Sequence, residues 1–187
     1  MFERLTAGSR EVVRGAVEHA ERTGSDTVGE PELLLALLDR TGSPAAAALD
    51  TLGARRDSLA GELAADRRRG GISAADAAAL ADLGIDVDEI VARVEQAHGA
   101  GALADGARRA GRGKRVRRRF TPEGKAVLER SLRIAGGRGD RHIGEEHLLL
   151  ALTTRPGPAG AVLAGHGVTY DAVVRVLESA RPAGRDG

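Results

Sequence analysis

A chain of 187 residues with 42% hydrophobic but only 2% aromatic side chains, including 34 alanines and 21 leucines, favours helices and excludes an all-β fold. It has no cysteine, which removes disulfides, thiol catalysis and Cys-ligated zinc from consideration. Formal net charge is +1, yet eight basic side chains and no acid fall within residues 108–119 (Arg108, Arg109, Arg112, Lys114, Arg115, Arg117, Arg118 and Arg119), so the remainder is acidic.

In chain order, the first predicted helix starts near Thr6, a residue suited to N-capping, and carries the apolar stripe Val12, Val13, Val17 and Ala20. The second follows Gly29 and is apolar nearly all round, which predicts a buried central helix. The third opens at Ser43-Pro44 and stops at Gly53, and the fourth covers 55–65. An insert then supplies a helix from Ser73 to Leu83, capped by Ser73 with Asp76, and another from Val87 to Ala97. Leu80-Ala81-Asp82-Leu83-Gly84 resembles Leu49-Asp50-Thr51-Leu52-Gly53, so the insert reads as an extra half-repeat. A linker rich in Gly, Ala and Arg, Gly99 to Arg118, follows it.

From Phe120 the first pattern returns. A shift of 115 residues aligns Leu5–Gly42 with Phe120–Gly157 at 13 identities in 38 positions, among them Thr6/Thr121, Gly29/Gly144, Glu30/Glu145 and Leu33–Leu37 against Leu148–Leu152. Pro122 suits a first helical turn, Val127, Leu128, Leu132 and Ala135 repeat the stripe, and further helices are expected from Gly157-Pro158 and over 169–180. The expectation is an all-α, pseudo-two-fold fold of two four-helix units (1–65 and 119–181), with an insert of two helices and a basic linker (66–118) and a disordered tail (182–187). The two leucine blocks should be buried against each other.

The opening Met1-Phe2-Glu3-Arg4-Leu5-Thr6, the segment Arg119-Phe120-Thr121-Pro122 with Lys125 and Val127-Leu128-Glu129, and Ile143-Gly144-Glu145-Glu146-His147-Leu148-Leu149-Leu150 recur in an order that resembles the N-terminal domain of the Clp family of AAA+ unfoldases, closest to the ClpC type. The insert departs from that family's shorter linker. No G-x-x-x-x-G-K-[ST] stretch is present, since Gly124-Lys125 is followed by Ala126. The expectation is therefore a stand-alone, non-enzymatic recognition module without the motor and without a cofactor.

The resemblance implies binding of peptides, substrates marked by phosphoarginine, or adaptors, with a Clp unfoldase or its substrates as partners. It also implies binding of cyclic-peptide antibiotics, and hence a decoy role as an alternative to delivery. The ligand-binding residues it implies are Thr121 and Glu146, with Thr6, Glu32, Phe2, Phe120 and Lys125. Read from the residues alone, Thr121 and Glu146 serve equally well as a helix cap and a first-turn acid. Where Glu146 stands in the second copy the first has Pro31, with Glu32 one residue on and so turned by about 100° around a helix. The first site is expected to be weakened, leaving one phosphoarginine site per chain.

His142 to His147 has neither the H-E-x-x-H nor the H-x-x-E-H spacing, and no metal is expected. Residues 108–119 read as a solvated linker; salt-sensitive binding of nucleic acid through this run is the alternative. The longest apolar run, Leu33 to Leu38, is far short of a membrane span, and with no signal-peptide pattern a cytoplasmic location is expected.

Overall fold

In the computed structural model, which describes residues 2–105 and 118–180, a 3-10 turn (Phe2–Arg4) leads into α1 (Ala7–Arg22), the short strand β1 (Thr27–Val28), α2 (Glu30–Leu38), α3 (Pro44–Thr51) and α4 (Arg56–Arg68). The insert adds α5 (Ala74–Asp82), α6 (Val87–His98) and the short α7 (Ala102–Asp105). The second copy comprises β2 (Arg119–Phe120), α8 (Pro122–Gly137), α9 (Glu145–Thr153), α10 (Pro158–Gly165) and α11 (Tyr170–Ser179). The fold is all-α. The expected tail (182–187) and most of the basic linker lie outside the described residues.

Local chemistry sets the helix starts. Thr6 Oγ1 accepts the Ser9 amide at 3.1 Å and Thr121 Oγ1 accepts the Gly124 amide at 3.0 Å, each satisfying a first-turn donor. Ser43 and Ser73 cap α3 and α5 in the same manner, both at 3.1 Å. One end of the basic run departs from the linker reading. Arg118 Nε donates to the Ser25 carbonyl at 3.0 Å, its guanidinium pairs with Glu21 at 3.2 Å, and Arg119 enters β2.

The two copies are joined by exchange. Strand β1 pairs in parallel with β2, placing Val28 opposite Phe120, and an isolated bridge places Leu5 opposite Ile143. Under the 115-residue shift each of these pairs is the image of the other, which is the form of a two-fold interface. The Thr121 amide donates to the Val28 carbonyl at 2.9 Å and the Thr6 amide to the Ile143 carbonyl at 3.0 Å. Farther from the axis, α3 packs on α11 and α10 on α4, so each copy's third helix covers the other's fourth. Leu33, Leu34 and Leu37 join Leu148, Leu149, Leu150 and Leu152 in one buried cluster, as expected of the two leucine blocks.

Gly124 marks how tight the seam is. A Cβ there would lie 2.7 Å from the Val28 carbonyl oxygen, a backbone atom that cannot turn aside. Gly→Ala in a helix ordinarily stabilises by about 1 kcal/mol. Here overpacking should reverse the sign and destabilise by about 1–3 kcal/mol, read as a lower denaturation midpoint.

Candidate functional site

Two clefts obey the same pseudo-symmetry. The first, about 380 Å³, lies between Pro31 at the start of α2, Leu63, Asp66 and Arg67 of α4, Pro158 of α10 and the Ser25–Thr27 loop. The second, about 460 Å³, lies between Glu146 at the start of α9, Val176 and Leu177 of α11, Pro44 of α3, and Arg138 with Asp140. Pro31 and Glu146 are equivalent under the shift, as are Ser25 and Asp140. Each cleft is thus floored by one copy and closed by the other's third helix.

Their chemistry differs. In the first, Arg67 is paired with the buried carboxylate of Glu32. Burial pushes the Asp66 carboxyl above its usual range; Arg69 opposes this and Glu62 adds to it. In the second cleft Arg138 stands 3.9 Å from Asp140, and Glu146, whose side chain is 24% exposed, lines it from the first turn of α9 with its carboxylate lying over Gly144. First-turn amides and the helix dipole make that end of α9 favourable to anions.

Position 32 and its equivalent, 147, share a structural task. Glu32 Oε2 accepts the Gly29 amide at 2.8 Å, the N3 half of a capping box at α2, where the N-cap glycine has no side chain to return the bond. His147 Nδ1 accepts the Gly144 amide at 2.9 Å, which assigns the ring proton to Nε2, 3.1 Å from Asp140. Glu146 Oε1 lies 3.2 Å from that same Nδ1, an acceptor facing an acceptor, so the ring does not hold the Glu146 carboxylate by a hydrogen bond. Glu32, expected at a ligand site, is buried and engaged by the Gly29 amide and Arg67.

The other expected site residues are distributed. Thr6 and Thr121 cap helices at the seam and line neither cleft. Exchange sets Thr121 against Val28, next to the start of α2, and sets Thr6 against Ile143, next to the start of α9 that bears Glu146. Phe120 is half-buried against the core, Lys125 is exposed on α8, and the Phe2 side chain lies outside the described part. Among the described residues no cluster of three or more His, Asp or Glu could hold a metal ion, and no helix is long and apolar enough to cross a membrane.

Four residues not expected at a site form two ion pairs across the seam. Arg40 Nε donates to Glu145 at 2.7 Å and Arg155 Nε to Glu30 at 3.1 Å, and the shift interconverts the two pairs. Both carboxylates are buried. Burial raises the Glu30 carboxyl, the Arg155 guanidinium pulls it back down, and Glu123 adds to the rise. Arg40 and Arg155 are identical under the shift, which was the available signal.

The profile of the Clp repeat (R) N-terminal domain family matches residues 69–166 and 119–185. The chain is similar to the chloroplastic chaperone protein ClpC1 of Oryza sativa subsp. japonica, at 31% identity over 179 residues, or 96% of this chain. It is similar also to the ClpA homolog of the ATP-dependent Clp protease ATP-binding subunit from Guillardia theta, at 32% over 152 residues, or 81% of this chain. It spans 14% of the length of each of these curated relatives. Among solved structures, the N-terminal domain of the caseinolytic protease associated chaperone ClpD from Arabidopsis thaliana aligns with TM-score 0.53 and 20% identity, covering 96% of this chain and 95% of that one. A chain from a malarial protein secretion system aligns with TM-score 0.60 and 12% identity, covering 94% and 93%. At these identities the structural likenesses establish the fold alone.

Proposed function

The chain belongs to the Clp repeat N-terminal domain family, and we propose that it is a protein-recognition module of a Clp-type chaperone or protease system whose second cleft receives an arginine-phosphorylated segment. The observation that carries this reading is that one apolar-walled cleft at a helix start is lined by both signs of charge: Arg138, 3.9 Å from Asp140, and Glu146, with Val176 and Leu177 as walls. Phosphoarginine carries both signs on one side chain. Its phosphoryl oxygens suit Arg138 and the first-turn amides of α9, while its guanidinium N–H groups suit the Glu146 carboxylate. Cleft one has Pro31 where this carboxylate stands, so it lacks a carboxylate at the helix start, and its Asp66 is engaged by Arg69 at 3.5 Å.

Titration calorimetry with free phosphoarginine tests the reading. A stoichiometry near one is expected. Glu146→Ala should weaken binding about ten-fold or more, because a charge-assisted hydrogen bond contributes about 1.5–3 kcal/mol. Two equal sites, or affinity indifferent to Glu146→Ala, would overturn it.

A further inference from the structure

The insert carries a third copy of the half-repeat with its core face open. Gly84 takes φ +82°, as Gly53 (+71°) and Gly167 (+72°) do, so all three helix pairs turn through the same left-handed glycine. In each, the amide after that glycine bonds five residues back at 2.9 Å: Ile85 to Leu80, Ala54 to Leu49 and Val168 to Leu163. This common geometry aligns Ile85 with Ala54 and Val168, and Ile90 with Leu59 and Val173. Within the repeats these positions are core: Leu59 and Val173 are 0% exposed. In the insert Ile85 is 42%, Ile90 48% and the neighbouring Leu83 78% exposed.

The insert is nevertheless anchored. Helix α6 turns Val87 and Val91 inward and leaves Ile90 on the flank of that stripe, while Arg69 to Asp88 at 3.0 Å with Arg68 to Glu95 at 2.9 Å tie it to the C-terminal end of α4. The residues that match the repeat core are therefore left partly open to solvent. In the two repeats the equivalent face meets apolar helices, α2 and α10 over α4, and α9 and α3 over α11.

Charge names the occupant. Residues 72–98 carry six acidic side chains against the one basic Arg93; Asp88, Glu95 and Glu89 are paired with Arg69, Arg68 and Arg93, which leaves Asp76, Asp82 and Asp86 outside these ion pairs. Asp82 and Asp86 flank Leu83 and Ile85 directly, and both are exposed. A second copy of this face would set acid against acid. We infer that the Leu83–Ile85–Ile90 face docks an amphipathic helix of a partner polypeptide whose apolar stripe is bordered by arginine or lysine. This site is separate from both clefts and stands whether or not phosphoarginine binds.

The test uses the full chain and two labelled synthetic helices, one of leucine, alanine and arginine, the other with glutamate in place of arginine, followed by fluorescence anisotropy. The arginine peptide should bind and the glutamate peptide should not. Leu83→Ser with Ile90→Ser should weaken binding about ten-fold or more while the melting temperature falls only a little, since Leu83 is mostly and Ile90 about half in water. Asp82→Lys, which leaves the apolar face intact, should weaken the same peptide. Equal binding of both peptides, binding of neither, or affinity unchanged in these variants would overturn the proposal. So would a dimer in sedimentation that Leu83→Ser with Ile90→Ser dissolves, which would make a second copy the occupant. Tighter peptide binding after serine replaces the six basic residues of 108–117 would identify the chain's own basic segment as the occupant and equally overturn it.

Discussion

Leu149→Ala should destabilise the protein by about 2–5 kcal/mol, the cost of removing buried methyl groups and leaving a cavity behind. Leu149 is fully buried in α9, which packs on α8, α10 and α11 of its own copy and on α1, α2 and α3 of the other. Few neighbours around such a crossing can move in without disturbing the next contact, which places the cost toward the upper part of that range. The loss should also be shared. Tyr170 fluorescence reports the second copy, whereas far-ultraviolet dichroism reports the helices of both, and the two denaturation curves should shift together and remain superimposed. Separate transitions would mean that the exchange of third helices does not couple the repeats. Leu83→Ala, at an exposed position, should change stability by no more than about 0.5 kcal/mol.

Arg155→Ala should cost about 2–3 kcal/mol at neutral pH, and the cost should fall on acidification. Breaking a buried ion pair from one side costs about 3–5 kcal/mol because a charge is left behind unpaired. The lower figure reflects an Arg155 side chain that is 31% exposed, while Glu30 is 3% exposed. The pH dependence follows from direction. Burial lifts the Glu30 carboxyl above its ordinary 4.5, and removing Arg155 lifts it further. A carboxyl whose folded value is raised favours the fold when protonated; that contribution is complete below the unfolded value and is lost as pH rises through the folded one. Urea midpoints of the variant should therefore approach those of the parent as pH falls toward the ordinary glutamate range. Adding Glu30→Gln should restore much of the loss at neutral pH, and a penalty independent of pH would mean that packing of the Arg155 stem, not charge, dominates.

Much of the local structure was legible because single residues determine it. Thr6 and Thr121 cap the helices they were expected to cap, Ser73 starts α5, and the leucine blocks meet in one core. What the alignment of the two copies could not convey is which copy's element meets which. Equivalence under a shift treats Thr121 and Glu146 as parts of one unit, whereas the seam pairs Thr121 with Val28 of the other unit. The engagement of Glu32 was hidden for a related reason: besides the Gly29 amide it meets Arg67, 35 residues along the chain on α4, and that pairing exists only once α4 packs beside α2. Arg138 and Asp140 sit in a connecting loop without periodicity, so they join Glu146 only once α11 and α3 close the cleft around them.

The reciprocal contacts Arg40–Glu145 and Arg155–Glu30, with the exchanged bridges Leu5–Ile143 and Val28–Phe120, have a consequence beyond stability. Two identical single repeats associating about a true axis would make each of these contacts twice, so the tandem chain is in effect a homodimer made covalent. The connecting segment replaces an association that dilution could reverse with a tether that fixes the effective concentration of one half for the other. It also releases the halves from identity. A symmetric dimer must alter both of its clefts with every substitution, whereas the fused chain holds Glu146 in one and Pro31 in the other on a single shared core.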